Sequence, residues 1–317
     1  MDRLLHKKFW RITMQQTTIQ RSITFSGIGV HSGQCLNVTL HPASENTGIV
    51  FEVITGDTRH TLIPSPSAVI ATKLATTIGN KNITISTVEH LLASIRGLEI
   101  DNIRICVEGA EIPIMDGSAK IFTNELLQAG IKYLPATKKI LQVIKPVEFI
   151  KGEKRIRALP YNGFKLDYTI NYIHPIIGHQ RLVLDVTPTT FLSIANARTY
   201  GFLKDVEQML KNGLAQGGSL ENAIVLDSTK VINPEGLRYP DEFVRHKALD
   251  FIGDMAMMHL PLQGYFEIYC SGHQHNNQFL HKLQDENALA LVTLEGEKTQ
   301  NLYQNITPLY NDVLALL

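Results

Sequence analysis

The chain has 317 residues, 44% of them hydrophobic and 19% charged, proportions of an ordinary globular protein that exclude disordered and fibrous architectures. Thirty basic residues balance thirty acidic ones, so no net field recommends nucleic acid or an anionic membrane surface as partner. The three cysteines, Cys35, Cys106 and Cys270, are odd in number and lack C-x-x-C spacing, which argues for reduced thiols in a cytosolic protein and against cysteine zinc ligands. Residues 1–11 are basic but hold no apolar run long enough for a signal peptide. No later stretch approaches the roughly 18 apolar residues of a membrane span. A cytoplasmic monomer without stable membrane insertion is expected, with residues 1–15 an N-terminal extension ahead of the folded part.

Residues 18–25 and 36–40 alternate apolar and polar and read as strands, joined by a loop containing Gly27, Gly29, His31 and Gly33. A further strand is predicted over 49–54 and, after the break at Pro64-Ser65-Pro66, residues 69–78 read as strands or an insert ending at the turn Asn80-Lys81-Asn82. A helix capped by Ser86 or Thr87 begins near Glu89 and stops at Gly97. A strand over 102–107 and a helix over 118–128, ended by Gly130, complete a first domain, 16–134. Residues 135–139 read as a linker to a second domain, 140–290, whose strands dominate to about residue 186. There follow a segment, 198–225, with a short amphipathic helix over 205–212 and a buried-type strand over 223–226, then a helix opening near Asp241. After a turn at 261–264 come a strand over 265–270 and a helix beginning near His273; residues 291–317 read as a C-terminal tail.

Both halves end in the order helix, strand, helix, so an α+β fold is expected. It comprises two similar domains, each a sheet layered with two helices, with the helices packed face to face between the sheets. That packing would bring His90 towards His246 and Asp250. On the helix after Pro240, His246, Asp250 and Asp254 follow at i, i+4 and i+8, which stacks an imidazole and two carboxylates on one face. Neutral imidazole and carboxylate are ligands a zinc-type ion accepts, and the same spacing also suits a surface ion pair. Glu89 beside His90 offers a carboxylate able to handle the proton of a water held by a metal on the His, or simply a first-turn charge that complements the helix dipole.

Several ordered motifs go further. Ser86-Thr87-Val88-Glu89-His90, Glu111-Ile112-Pro113-Ile114-Met115-Asp116-Gly117-Ser118, Ala197-Arg198-Thr199, Phe243-Val244-Arg245-His246-Lys247 with Asp250, and Ser271-Gly272-His273 followed by Asn276-Asn277 are spread over about residues 18–285. Together they resemble the UDP-3-O-acyl-N-acetylglucosamine deacetylases of bacterial lipid A synthesis. The resemblance implies His90, His246 and Asp250 as ligands of one zinc ion per chain, with Fe2+ an alternative in the cell. It implies Glu89 as general base, Thr199 as a hydroxyl donor to the oxyanion, Asp254 as the carboxylate supporting a protonated His273, and Lys247 facing the polar part of an acylated nucleotide sugar. His273 is the candidate general acid, with His275 its nearest rival. The segment 198–225 would form the passage for the acyl chain, lined by Val206, Ala215, Ser219 and Val225, with Tyr200 and Asp205 as further substrate contacts. The expected activity is metal-dependent amide hydrolysis; a zinc hydrolase of another acylated sugar, or a binding protein with a structural metal, are the alternatives.

Overall fold

The structure is a computed structural model that describes residues 14–55 and 57–294. Its first half is built on a five-stranded sheet ordered Ile23–Ile28, Cys35–Pro42, Ile103–Glu108, Ile49–Thr55, Thr58–Leu62. All neighbours run antiparallel except Ile49–Thr55 with Ile103–Glu108. In the Cys35–Pro42 strand, Leu36, Val38 and Leu40 are buried while Cys35 and Asn37 are exposed, the alternation of a sheet with one wet face. The registers Val38↔Val107, Leu40↔Ile105 and Phe51↔Ile105 put fully buried side chains across from one another. Helices α1 (Glu89–Gly97) and α2 (Lys120–Ala129) belong to this half, and Phe122 of α2 meets Phe25 edge to face at 4.9 Å.

The second half has a seven-stranded sheet centred on Leu262–Tyr269, which pairs with Lys154–Leu159, Phe164–Asn171 and Lys139–Val143. Three helices precede the core one or follow it: α3 (Pro188–Ala195), α4 (Leu203–Lys211) and, after α5 (Glu242–Met255), α6 (His273–Asp285). Of α5 only Arg245 and Lys247 escape burial, because the helix is enclosed by α1 in front and by the strands Phe164–Asn171 and His179–Asp185 behind. Full burial of side chains such as Phe243, Leu249 and Phe251 stabilises this arrangement by about 1.5–3 kcal/mol each. The two helices cross at Gly253, where a Cβ would collide with the carbonyl of Glu89. Glycine is therefore required by close approach, and that approach sets how near the Glu89-His90 pair comes to α5.

The layered α+β architecture with helices facing between two sheets is as expected, but several boundaries move. The strand predicted over 18–25 is two, Gln15–Ile19 and Ile23–Ile28, in different sheets. Thr18, polar in the alternation, is in fact buried, its hydroxyl accepting from the Ala43 N–H at 3.0 Å. The start of this strand also brings Gln15 out of the expected extension; residues 1–13 lie outside the described ones. Of residues 135–139, expected as a linker, all but Lys138 lie in the strands Ile131–Thr137 and Lys139–Val143. Pro135 is tolerated because Ile131–Thr137 pairs only with Gln15–Ile19 and the register is irregular opposite it. Of the expected C-terminal tail, 291–293 belong to the strand Leu289–Thr293, paired with Lys139–Val143, and 295–317 lie outside the described residues. Residues 69–85 form a small sheet of Val69–Ala71, Thr77–Gly79 and Thr84–Ile85.

Candidate active site

Helix α1 does not start on the predicted side-chain cap. Val88 holds the cap position, while Thr87 adopts φ 59° and donates its hydroxyl to Glu111 Oε1 at 3.2 Å. The left-handed residue turns the chain so that Glu89 and His90 both enter the interior at the first helical turn, each 3% exposed. Across the α1–α5 crossing, His90, His246 and Asp250 each offer one ligand atom, and all these atoms lie within 4.8 Å of one another. Asp250 Oδ1 stands 3.3 Å from His246 Nε2 and 3.6 Å from His90 Nε2, and it is buried with no hydrogen-bond donor among the described residues. A buried carboxylate oxygen without a donor, flanked by two imidazole nitrogens, fits a divalent cation of the zinc type.

The protonation states agree. His246 Nδ1 donates to the carbonyl of Ala197 at 3.0 Å, which leaves Nε2 as the lone-pair atom facing the centre. Burial pushes the His246 pKa down to about 3 and keeps the ring neutral, as a ligand must be. Burial works against ionised Asp250, but its cationic neighbour Lys247 holds the carboxyl well below the usual range. Lys247 Nζ lies 2.6 Å from Asp250 Oδ2 and 5.7 Å from the centre of the Tyr200 ring. His90 Nδ1 has no partner among the described residues, so its ring is held by packing, including an edge-to-face contact with His246 at 4.9 Å.

Beside this cluster sit the acid and base candidates. Glu89 Oε2 accepts from the Thr76 N–H at 3.1 Å, and Oε1 lies 3.8 Å from His273 Nε2. Burial raises the Glu89 pKa, countered by His273 and His90. His273, at the first position of α6, donates Nδ1–H to Asp254 Oδ2 at 2.8 Å. Burial disfavours its charge, yet the Asp254 carboxylate, with Glu89 and Asp250, pushes its pKa up to about 9. Asp254 is fixed by the Thr76 hydroxyl at 2.6 Å and by Asn276 Nδ2 at 2.7 Å. His275 is on the same helical turn but points elsewhere, its ring 6.4 Å from Phe149, and burial followed by Lys154 and Lys151 lowers its pKa.

A cavity of about 520 Å³ opens onto the cluster. Thr199, Tyr200, Val206, Ala215, Ser219 and Val225 line it together with Lys247 and His273. Asp205 does not: it lies in the first turn of α4 outside that lining, and the helix itself starts at Leu203, two residues before the predicted position. Phe202, Met209, Leu220 and Ile232 also line the cavity and were not singled out in the sequence, where they are indistinguishable from core residues. Glu111 is a further omission. It accepts from the N–H groups of His31 and Ser32 at 2.9 Å each, and so binds the glycine-rich loop against the start of α1. His31 thereby joins the cavity lining, its Nδ1 accepting from the Ala215 N–H at 3.4 Å.

Comparison with known proteins gives a consistent result. A family model described as UDP-3-O-acyl N-acetylglycosamine deacetylase (LpxC) matches residues 16–285. The UDP-3-O-acyl-N-acetylglucosamine deacetylase of Nitratidesulfovibrio vulgaris is 54% identical over 282 residues, 89% of this chain and 92% of the relative. The protein of the same name from Oleidesulfovibrio alaskensis is 52% identical over 90% of this chain and 94% of its own length, and that of Campylobacter hominis is 46% identical over 88% and 92%. With the match spanning the first sheet, all of the second but the strand Leu289–Thr293, and every element that carries the cluster, the chain belongs to the UDP-3-O-acyl-N-acetylglucosamine deacetylase family.

Proposed function

We infer that this chain, as a member of that metalloenzyme family, hydrolyses the N-acetyl amide of UDP-3-O-acyl-N-acetylglucosamine, releasing acetate and UDP-3-O-acyl-glucosamine in lipid A biosynthesis. The metal is zinc, held by His90, His246 and Asp250, with Fe2+ able to replace it. Bound there, the ion supplies Lewis-acid charge to the acetyl carbonyl and acidifies water. Glu89, anchored through Oε2 by Thr76, uses the free Oε1 to take the proton of the attacking water. The Thr199 hydroxyl donates to the oxygen that gains negative charge. His273, with Nδ1–H committed to Asp254, gives its Nε2 proton to the leaving nitrogen, which otherwise would depart as a strongly basic amide anion. Lys247 holds the polar part of the substrate and Tyr200 stands at the mouth of the acyl passage between Val206, Ala215, Ser219 and Val225.

No helix among the described residues is long and apolar enough to cross a membrane, and a cytoplasmic monomer acting on a small-molecule substrate fits the neutral charge balance. The observation that carries the reading is the convergence of the donorless Asp250 oxygen, two imidazoles and the Glu89–His273 pair at the foot of one cavity. The test is acetate release from the acylated nucleotide sugar with and without a chelator. Release that persists undiminished after the metal is stripped would contradict it.

A further inference from the structure

One turn before His246, at the first position of α5, Glu242 is fully buried. Its carboxylate takes four N–H groups: the backbone and Nε of Arg198 at 3.0 Å each, Arg198 Nη2 at 3.3 Å, and the backbone of Arg238 at 2.6 Å. Arg198, 1% exposed, also donates to Glu235 at 2.6 Å and to the Gly236 carbonyl at 2.7 Å. The residues on either side of Arg198 both serve the site. The Ala197 carbonyl accepts from His246 Nδ1 at 3.0 Å, and Thr199 lines the cavity beside Glu89 and His90. Glu242 and His246, stacked at i and i+4, thus grip one tripeptide, one through its central N–H and side chain, the other through its preceding carbonyl.

We propose that Glu242 and Arg198 are positioning residues for the deacetylase: their buried ion pair sets the 197–199 backbone that orients the His246 ring and presents the Thr199 hydroxyl. The proposal rests on the reading of His246 as a metal ligand and Thr199 as an oxyanion donor. Its physical content is that a carboxylate fixed by two backbone N–H groups and a guanidinium leaves the tripeptide no alternative register. A hydrogen-bonded backbone carbonyl behind a ligating imidazole selects its tautomer and tilt, and disturbing such a support typically weakens metal binding by about 10- to 100-fold.

The decisive variant is Glu242→Gln, which keeps the shape but turns an NH2 against a donor. Zinc affinity, measured by competition with a chelator, is expected to fall roughly 10- to 100-fold. The value of kcat should fall by a similar factor with KM within about twofold, because Thr199 acts on charge that develops in the transition state. Arg198→Lys, which retains charge but cannot span Glu242 and Gly236 together, should shift both readings the same way and decides the matter if Glu242→Gln does not fold. A purely structural ion pair is separated by the double variant Glu242→Leu with Arg198→Met, since well-packed apolar replacement of a buried pair often restores stability. Under the proposal its Tm recovers while zinc affinity and kcat stay low; recovery of all three overturns it. Zinc affinity and kcat within about twofold of the parent in folded Glu242→Gln also overturn it, with His246→Ala losing metal in parallel. If His246→Ala keeps the metal of the parent, the ligand assignment itself has failed and the proposal falls with it.

Discussion

Helices α5 and α4 face the same cavity from opposite extremes of packing. In α5 twelve residues are buried, and in α4 none is; Leu203 and Leu210 of α4 are even 51% and 49% exposed. The 9 residues of α4 fall below the ~12–15 that an isolated helix needs, so its order depends on the strand Tyr200–Phe202 that feeds it. The division follows the chemistry. Metal ligation tolerates displacements of only a fraction of an ångström, and two of the three proposed ligands, His246 and Asp250, sit on the helix enclosed by α1 and the second sheet. An acyl chain is held by non-directional apolar contact, and the passage proposed for it is drawn in part from α4, through Val206 and Met209.

The rigid side should break hardest. Replacing His90, His246 or Asp250 by Ala removes one of the three proposed ligands, and each variant is expected to lose both bound metal and turnover, read by metal analysis of the purified protein and by acetate release. Asp254→Ala is the control, since Asp254 contacts Thr76, Asn276 and His273 and not the ligand cluster; it should keep its metal.

Next come the base and the acid. Either Glu89→Ala or His273→Ala should lower the rate by roughly 100- to 10,000-fold with metal retained. Glu89 acts ionised, so activity rises as pH climbs through its pKa, which burial sets above the usual carboxylate value. His273 acts protonated, so activity falls as pH passes about 9. In His273→Ala the basic limb of kcat/KM should flatten and the acidic limb persist; a preserved basic limb with near-normal turnover would move the acid elsewhere.

How much of this arrangement the amino-acid sequence discloses depends on whether a contact is local. The stacking of His246 and Asp250 is a property of one helix, and Glu89-His90 of one turn, so both are legible from spacing. Their meeting at Gly253 is a long-range event, and nothing near Gly253 announces a partner 164 positions earlier at Glu89. Glu242 shows the same limit: as a first-turn acid it reads as a dipole partner, whereas its burial and its bonds to Arg198 arise from a segment 44 residues away. Within residues 135–139 proline suggests a break, and only the pairing with Gln15–Ile19 shows 135–137 to be the end of a strand. Asp205 belongs with the passage residues only through the resemblance, and it is not among the residues that line the cavity.

Two substitutions probe the border between the regions. Gly253→Ala places a methyl against the Glu89 carbonyl, and α1 and α5 must part to admit it. Since a shift of about 1 Å at a reacting group can cost on the order of 100-fold, a loss of that size in kcat/KM is expected, along with about 1–3 kcal/mol of stability by denaturant unfolding. Ser219→Trp fills the passage and leaves the metal centre untouched. It should reduce kcat/KM for long-acyl substrates by roughly tenfold or more and for short-acyl ones by about twofold at most. Equal losses would mean that the chain is bound elsewhere.

The smallest effect is expected where the two regions touch, at Tyr200. Its ring packs edge to face on Phe243 of α5 at 5.0 Å and lies 6.3 Å from His246, while its hydroxyl meets the Tyr172 hydroxyl at 3.1 Å. Burial, followed by the influence of Tyr172, raises its pKa well above the ordinary phenol value, so the group stays a neutral hydrogen-bonding partner through the working pH range. Tyr200→Phe keeps the ring that braces the rigid centre and removes only the link to Tyr172. Zinc affinity and kcat should therefore stay within about twofold of the parent, and stability should fall by about 0.5–1.5 kcal/mol, the net worth of one hydrogen bond. If the hydroxyl instead took part in the chemistry, kcat would fall by tenfold or more without a matching change in unfolding free energy. The ratio of the two measurements thus reports whether Tyr200 belongs to the rigid centre or merely leans on it.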